Sequence, residues 1–180
     1  MNSSDKLDLV KNRIIEQIAE NMKSYGFPGT IGRVIAIIYY EGRALDLDEL
    51  AEKTGMSKTR MSQVMREMSH LNIAEKVFVK GSRKDYYTVE SDYYQTFISL
   101  FTSNWKEVVA RNKKIEQRII QDLNSILEDE NASENLIEEA KQYKIDSEQS
   151  IEYYDWVDRL VEFFESQEIF KYVPKKSPNK

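Results

Sequence analysis

The sequence contains no cysteine and only one histidine, His70, and these two scarcities exclude several kinds of site. Without cysteine the chain can form neither a disulfide framework nor a thiolate metal site, and it has no cysteine nucleophile. A metal centre built from several histidines is excluded as well. Because no other group of residues has the pattern of a catalytic site, we expect no metal, no cofactor and no enzymatic activity.

Few residues interrupt regular structure, because the 180 residues include only three prolines and six glycines. This scarcity predicts a mainly helical protein with short loops. The sequence also lacks the run of about 18 apolar residues that a membrane span needs. Its first residues carry charges among the apolar positions, which is not the pattern of a signal peptide. We therefore expect a cytoplasmic protein that does not contact a membrane.

Charge is distributed unevenly along a chain whose net charge is −5. Between Lys53 and Tyr87, eight basic and three acidic residues give a net charge of +5. Between Glu128 and Glu168, fourteen acidic and three basic residues give −11. A compact positive segment in an acidic protein favours a phosphate-bearing partner on one surface.

The spacing of apolar residues predicts two helices at the start of the chain. The first runs from about Asp5 to Ser24, and Gly26 is placed to adopt the left-handed conformation that ends a helix. We expect Thr30 to cap the second helix, which ends near Gly42.

Two short helices joined by a tight turn are predicted next. Asp46 can accept hydrogen bonds from the first turn while Glu49 reaches back to it, which is a reciprocal capping box. Gly55 ends this helix, and Ser57 begins a fourth helix that runs to about His70. Such a pair is the helix-turn-helix pattern.

A predicted β-hairpin follows at once. The segments 74–80 and 85–89 are rich in β-branched and aromatic residues, and a basic sequence, Lys80 to Lys84, lies between them. A helix-turn-helix followed directly by such a hairpin predicts a winged helix.

Two long helices are predicted in the rest of the chain, from Ser91 to about Leu127 and from about Glu134 to Ser166. Their apolar residues form a heptad-like seam. Because two helices alone bury little apolar surface, we expect them to pair with a second chain in a homodimer. The expected fold is mainly α with a small β-hairpin wing. It has a winged helix-turn-helix DNA-binding domain at 1–90, long antiparallel dimerisation and effector helices at 91–173, and a disordered tail at 174–180.

The fourth helix is the predicted recognition helix, which would contact base edges in the major groove of duplex DNA. Its apolar stripe, Met61, Val64, Met65 and Met68, leaves the polar residues facing outward. The wing would contact phosphates or the minor groove. The predicted DNA contacts are Ser57, Lys58, Thr59, Arg60, Ser62, Gln63 and Arg66 on the helix and Lys80, Ser82, Arg83 and Lys84 in the wing.

The chain resembles the MarR superfamily of dimeric winged-helix repressors, and its GbsR-type branch in particular. The resemblance rests on Leu47–Ala51 leading into Met56–Lys58, on the wing Lys80–Asp85, and on Phe101–Trp105 and Glu152–Trp156. It implies a cytoplasmic homodimer that represses genes of choline uptake or glycine betaine synthesis, with choline as the effector.

Clustered aromatic residues independently favour a small cationic effector, because aromatic faces hold quaternary ammonium groups. Aromatic rings at helical spacing also serve as core or dimer packing, and this alternative stays open. The residues expected to form the aromatic box are Tyr39, Tyr40, Tyr94, Phe97, Phe101, Trp105, Tyr154 and Trp156.

Two other functions fit parts of the pattern. One is a winged-helix scaffold for protein interactions, in which the acidic helices bind a partner. The other is a DNA-binding regulator that has no ligand. The basic surface from Ser57 to Arg66 and the wing favour DNA over a scaffold. A dimer would place its two recognition helices about one helical turn of DNA apart and recognise an inverted repeat.

Overall fold

The computed structural model describes residues 2–176, and the chain divides after Leu100 into two compact units. The first unit contains the elements α1 (Ser3–Ser24), α2 (Gly29–Glu41), β1 (Leu45–Asp46), α3 (Leu47–Thr54), α4 (Lys58–His70), β2 (Ala74–Val77) and β3 (Tyr86–Val89). Helix α5 (Tyr93–Leu127) begins in the first unit and continues into the second, which also contains α6 (Glu134–Glu165) and α7 (Ile169–Tyr172). Across residues 2–176, no helix is both long and apolar enough to cross a membrane.

A Schellman motif around Gly26 ends α1, as the sequence predicts. The φ angle of Gly26 is +85°, and its amide donates to the carbonyl of Lys23 at 2.9 Å. The amide of Phe27 donates to the carbonyl of Met22 at 3.0 Å. These two bonds satisfy carbonyls that the end of a helix would otherwise leave unpaired.

The predicted cap of the second helix is wrong. Helix α2 begins at Gly29 with Pro28 at the N-cap, and no side chain caps it. Thr30 therefore lies inside the first turn instead of before it. Because the helix already begins at Gly29, Thr30 is its second residue, where the hydroxyl cannot serve as the N-cap.

Helices α1 and α2 pack backbone against backbone at Gly32. A Cβ atom on Gly32 would lie 2.5 Å from the carbonyl oxygen of Ile18 and 2.7 Å from the Cα of Ala19. Both neighbours are backbone atoms, which a side-chain rotation cannot move. The close packing of α1 on α2 therefore depends on glycine at this position.

The helix-turn-helix has the ends that the sequence predicts. The carboxylate of Asp46 accepts from the amide of Glu49 at 2.9 Å, and the carboxylate of Glu49 accepts from the amide of Asp46 at the same distance. Gly55 ends α3 with a φ angle of +69°. Ser57 Oγ then accepts from the amide of Arg60 at 3.2 Å and caps α4.

The core of the first unit lies beneath α4, which buries three methionines and a valine. Met61, Met65 and Met68 are 0% exposed and Val64 is 1% exposed. They pack with residues from α1, α2, α3, β2 and the start of α5. Burying such side chains contributes about 1.5–3 kcal/mol each, so this cluster fixes the rotation of α4 about its axis.

The sheet has three antiparallel strands in the order β1-β3-β2, and Val77 pairs with Tyr86 at the end of the hairpin. The predicted strands 74–80 and 85–89 are therefore too long, since residues 78–85 form a loop. Phe78 is 85% exposed and has no strand opposite it. Strand β1 was not predicted, because its two residues form a strand only by pairing with β3.

The second unit consists of two long antiparallel helices and a short third one. Phe101 packs on Phe164 with ring centroids 4.7 Å apart, and Ser150 Oγ donates to the carboxylate of Glu116 at 2.8 Å. The predicted bounds of α5 and α6 are confirmed to within two residues, whereas α7 was not predicted. Of the predicted disordered tail, residues 174–176 have no helix or strand, and 177–180 lie outside the described residues.

Candidate nucleic-acid interface and aromatic cavity

The solvent side of α4 is polar and basic, and it lies opposite the buried methionines. Since burial fixes the rotation of the helix, its remaining side chains are available to a partner. Ser62 is half-buried and the other predicted contacts of this helix are exposed: Ser57, Lys58, Thr59, Arg60, Gln63 and Arg66.

Arg60 and Gln63 lie one turn apart on this surface and contact each other. Nη1 of Arg60 donates to Oε1 of Gln63 across a long distance of 3.4 Å. A hydrogen bond of this length is weak. Its two partners can therefore exchange it for base edges, where glutamine pairs well with adenine and arginine with guanine.

The wing loop, residues 78–85, carries the remaining predicted contacts. Gly81 has a φ angle of +87°, and the amide of Ser82 donates to the carbonyl of Val79 at 3.1 Å. Ser82 Oγ accepts from the amide of Lys84 at 3.1 Å. Ser82 is half-buried and shapes the turn, whereas the basic residues of the loop are exposed: Lys80, Arg83 and Lys84.

An ion-pair network connects the wing to the start of α3 and to α4. Nζ of Lys84 lies 2.7 Å from Oδ2 of Asp46 and 3.0 Å from Oδ2 of Asp48. Nζ of Lys58 lies 2.8 Å from Oδ1 of Asp48. Two of the predicted DNA contacts are therefore paired with carboxylates of the protein itself. These ion pairs were not predicted, because they join residues of different elements that only the fold brings together.

The carboxylates of this network ionise readily. Burial of Asp46 disfavours its charge, but hydrogen bonds from Lys84 and from the amides of Glu49 and Asp48 outweigh it and lower the pKa of Asp46. Hydrogen bonds from Lys58 and Lys84 lower the pKa of Asp48. The bonds that Lys84 donates to Asp46 and Asp48 raise the pKa of Lys84. Asp46, Asp48 and Lys84 are therefore charged near neutral pH.

An aromatic cavity of about 120 Å³ lies in the first unit between α1, α2 and the start of α5. Rings of Tyr25 and Phe97 meet edge to face with centroids 6.1 Å apart, and those of Tyr39 and Tyr93 lie 5.8 Å apart. Glu90 also lines the cavity and is its only carboxylate. Four rings and one negative charge are features suited to a small organic cation.

The eight aromatic residues predicted to form a box do not all line this cavity. Tyr39 and Phe97 line it. Tyr40 contacts Tyr39 edge to face at 5.1 Å but lines a separate groove, which is rich in charged residues. Tyr94 is 47% exposed and does not line the cavity. The others belong to the second unit: Phe101, Trp105, Tyr154 and Trp156.

The aromatic residues of the second unit form ring contacts of their own. Phe101 lies 6.4 Å from Trp105, measured between ring centroids. Tyr153 lies 5.2 Å from Tyr154 and stacks on Trp156 at 6.4 Å.

Two rings and the carboxylate of the cavity were absent from the predicted box: Tyr25, Tyr93 and Glu90. Tyr93 adjoins the predicted Tyr94, and a helical register would have distinguished the two. Tyr25 follows the end of α1, where sequence periodicity gives no orientation. Within residues 2–176, no three acidic, histidine or cysteine side chains are grouped so that they could hold a metal ion.

Known proteins resemble this chain along nearly its whole length. It is 51% identical over 171 residues to the HTH-type transcriptional repressor OpcR of Bacillus subtilis (strain 168), covering 95% of this chain and 92% of that protein. It is 32% identical over 168 residues to the HTH-type transcriptional repressor GbsR of the same organism, covering 93% of each. A solved structure of a transcriptional regulator superposes with a TM-score of 0.59 at 14% identity, covering 92% of this chain and 99% of that one.

The helical hairpin has a family model of its own. Residues 93–171 match the GbsR family transcriptional regulator, C-terminal helical hairpin. This range begins with α5 and ends within α7. The resemblance to GbsR-type regulators drawn from sequence motifs is thereby confirmed, and the chain belongs to the GbsR family of transcriptional regulators.

Proposed function

We propose that the protein is a homodimeric, cytoplasmic repressor that binds an inverted repeat in duplex DNA and responds to choline or a related quaternary ammonium compound. Its targets would be genes of choline uptake or glycine betaine synthesis. The observation that carries the proposal is the exposed polar side of α4, held outward by the buried Met61, Met65 and Met68 beside a basic wing. Residues 1–90 would bind DNA, and residues 91–173 would form the dimer.

DNA binding follows from the chemistry of α4 and the wing. The N-terminal half of α4 presents short and basic side chains, so its backbone can approach the major groove. Arg83 and Lys80 on the wing loop suit phosphates or the minor groove beside it. Two copies related by a twofold axis would place their recognition helices about 34–36 Å apart, which requires an inverted repeat.

Dimerisation is supported by apolar side chains that the second unit leaves in solvent. On α5, Ile115 and Ile119 are 46% and 38% exposed. On α6, Tyr143 and Trp156 are 54% and 52% exposed. Large apolar side chains left exposed on a helix pair are typical of an interface with a second chain. The same surface on another copy would cover it symmetrically.

An effector site is supported by the aromatic cavity of Tyr25, Tyr39, Tyr93 and Phe97 with Glu90. The rings can hold a quaternary ammonium group, and the carboxylate of Glu90 adds an opposite charge. The same carboxylate would repel the carboxylate of glycine betaine, so the cavity favours a cation over a zwitterion. Since α1, α2 and α5 all line it, a ligand could favour one arrangement of these helices over another.

The decisive experiment is a mobility-shift titration of the purified protein on DNA from upstream of its own gene, with and without millimolar choline. Specific binding that choline changes supports the repressor and its effector. Specific binding indifferent to choline supports the regulator without a ligand. If a genome-wide selection of bound fragments finds no preferred DNA, the protein-interaction scaffold replaces the repressor.

The location of the effector site can be tested separately with variants that remove a ring but keep apolar volume. Choline binding, measured by calorimetry, should be lost in Tyr93→Leu and Phe97→Leu and weakened in Glu90→Gln. Trp156→Leu is the matched control, because it removes a ring from the aromatic residues of the second unit. This variant should bind choline normally. If Trp156→Leu loses binding and Tyr93→Leu does not, the effector site lies in the second unit.

The dimer can be tested by light scattering with a charge placed on the exposed helix face. Ile119→Asp should convert the protein to a monomer, because the charge would be buried in the interface. Gln117→Asp introduces the same charge at an exposed polar position of α5 and should remain a dimer. A monomeric wild-type protein would contradict the proposal.

A further inference from the structure

A single carboxylate, that of Asp48, is shared by two lysines from different elements. Its Oδ1 lies 2.8 Å from Nζ of Lys58 on α4, and its Oδ2 lies 3.0 Å from Nζ of Lys84 in the wing. Both lysines belong to the surface assigned to DNA in the proposed function, on which this inference rests. Asp48 therefore presents to them the kind of oxygen anion that a DNA phosphate would present.

The two lysines differ in what else holds them. Lys84 also pairs with Asp46, whose side chain is only 6% exposed, at 2.7 Å. Within residues 2–176, Lys58 forms its ion pair with Asp48 alone. Removing the charge of Asp48 would therefore release Lys58 and leave Lys84 attached to Asp46.

The pair between Asp48 and Lys58 lies in solvent and can exchange. The side chain of Asp48 is 48% exposed and that of Lys58 is 61% exposed. Ion pairs of this exposure contribute little to stability, because water and salt screen both charges. Phosphates at the high charge density of duplex DNA can compete for such a lysine.

We propose that Asp48 sets the DNA affinity of this protein by holding Lys58 in the free state, and that Lys58 exchanges Asp48 for a backbone phosphate on binding. The contact would lower affinity for all DNA, since phosphates are the same at every sequence. The operator and random DNA would lose affinity by the same factor, so the ratio between their affinities would not change.

The test is the affinity for a random-sequence duplex, measured by fluorescence anisotropy over a range of salt concentrations. No operator is needed, because phosphate binding is independent of sequence. Asp48→Asn should bind about two- to fivefold more tightly per protomer, the worth of one exposed ion pair. The slope of log affinity against log salt should stay about the same, because Lys58 contacts the same phosphate in the complexes of both proteins.

Glu52→Gln is the matched control, because it removes the same charge from an exposed position of the same helix. If it tightens binding as much as Asp48→Asn, general charge explains the effect and the inference fails. A weakening in Asp48→Asn would also overturn it, since Asp48 would then position Lys58 for DNA. The double variant Asp48→Asn with Lys58→Met should lose the gain.

Three variants distinguish a failure of this inference about Asp48 from a failure of the proposed DNA surface. If Lys58→Met and Arg66→Ala weaken binding while Asp48→Asn changes nothing, only the role of Asp48 is wrong. If all three bind like the wild type, the surface is wrong and the inference fails with it. Thermal unfolding of each variant checks the fold, and Asp48→Ser replaces Asp48→Asn if the latter does not fold.

Discussion

Nζ of Lys84 lies 2.7 Å from the carboxylate of Asp46, although the two residues are 38 positions apart. The carboxylate also caps α3, so one buried anion joins the end of the wing loop to the start of the helix-turn-helix. Lys84 therefore holds the wing in place in the unbound protein. Its loss would loosen the wing as well as remove a positive charge from the proposed DNA surface.

The acidic residues around this contact predict a loss of stability in acid. The pKa values of Asp46, Asp48 and Glu49 are lowered, for Glu49 chiefly by the hydrogen bond from Arg43. A lowered pKa in the folded state stabilises the fold above the ordinary carboxyl value of about 4. This stabilisation is lost as the pH falls through the lower, folded-state values.

We therefore expect urea unfolding to show a falling free energy of unfolding below about pH 4. Asp46→Asn should be less stable than the wild type at neutral pH and should approach it in acid. Glu52→Gln serves as a control for removal of any exposed carboxylate of α3. A constant difference between Asp46→Asn and the wild type at all pH values would refute this explanation.

Gly32→Ala should destabilise the first unit by about 1–3 kcal/mol, the usual cost of overpacking. The new methyl group would meet the backbone of Ile18 and Ala19, and α1 would have to move away. Gly29→Ala is a milder comparison, because its nearest contacts would be 3.2 Å away. Chemical denaturation measures both, and equal stability of Gly32→Ala and the wild type would show that the helices separate without cost.

Substitutions on α4 and in the wing should affect DNA binding differently. Arg66→Ala and Gln63→Ala should each reduce discrimination between operator and random DNA by about 1–3 kcal/mol, because bases supply that discrimination. Arg83→Ala should weaken binding to both DNAs alike, and so should Lys84→Ala. Competition titrations give the ratio of affinities. Unchanged operator binding in all four variants would place the DNA surface elsewhere.

Phe78 and Met65 should respond oppositely to truncation. Phe78 is 85% exposed, so Phe78→Ser should change the free energy of unfolding by less than about 0.5 kcal/mol. Met65 is 0% exposed, and Met65→Ala should cost about 2–5 kcal/mol through the cavity it leaves. Thermal or urea unfolding compares the two. A large loss in Phe78→Ser would mean that the side chain is buried in solution, for example against a second copy.

Local signals in the sequence predict the helix ends well, because the groups involved are close in the chain. Three of these ends depend on residues within one turn of each other: the capping box of Asp46 and Glu49, the left-handed Gly55 and the N-cap at Ser57. Thr30 shows the limit of this reasoning, since Pro28 begins the helix earlier.

Contacts between distant segments could not be predicted in this way. Strand β1 exists only through its pairing with β3, and Lys84 was assigned to DNA although it pairs with Asp46. The aromatic box was predicted by residue type alone. The structure groups Tyr39 and Phe97 with Tyr25 and Tyr93, a selection that depends on how three helices pack.

The proposed recognition helix, α4, packs on the thioether side chains of methionines. Met61, Met65 and Met68 are unbranched and flexible, and such side chains refill irregular space when their surroundings change. A core of methionines beneath α4 tolerates small changes in the tilt of this helix, which a core of branched side chains would resist. The outward residues of α4 can therefore be exchanged in evolution, and operator preference altered, without redesign of the interior beneath them.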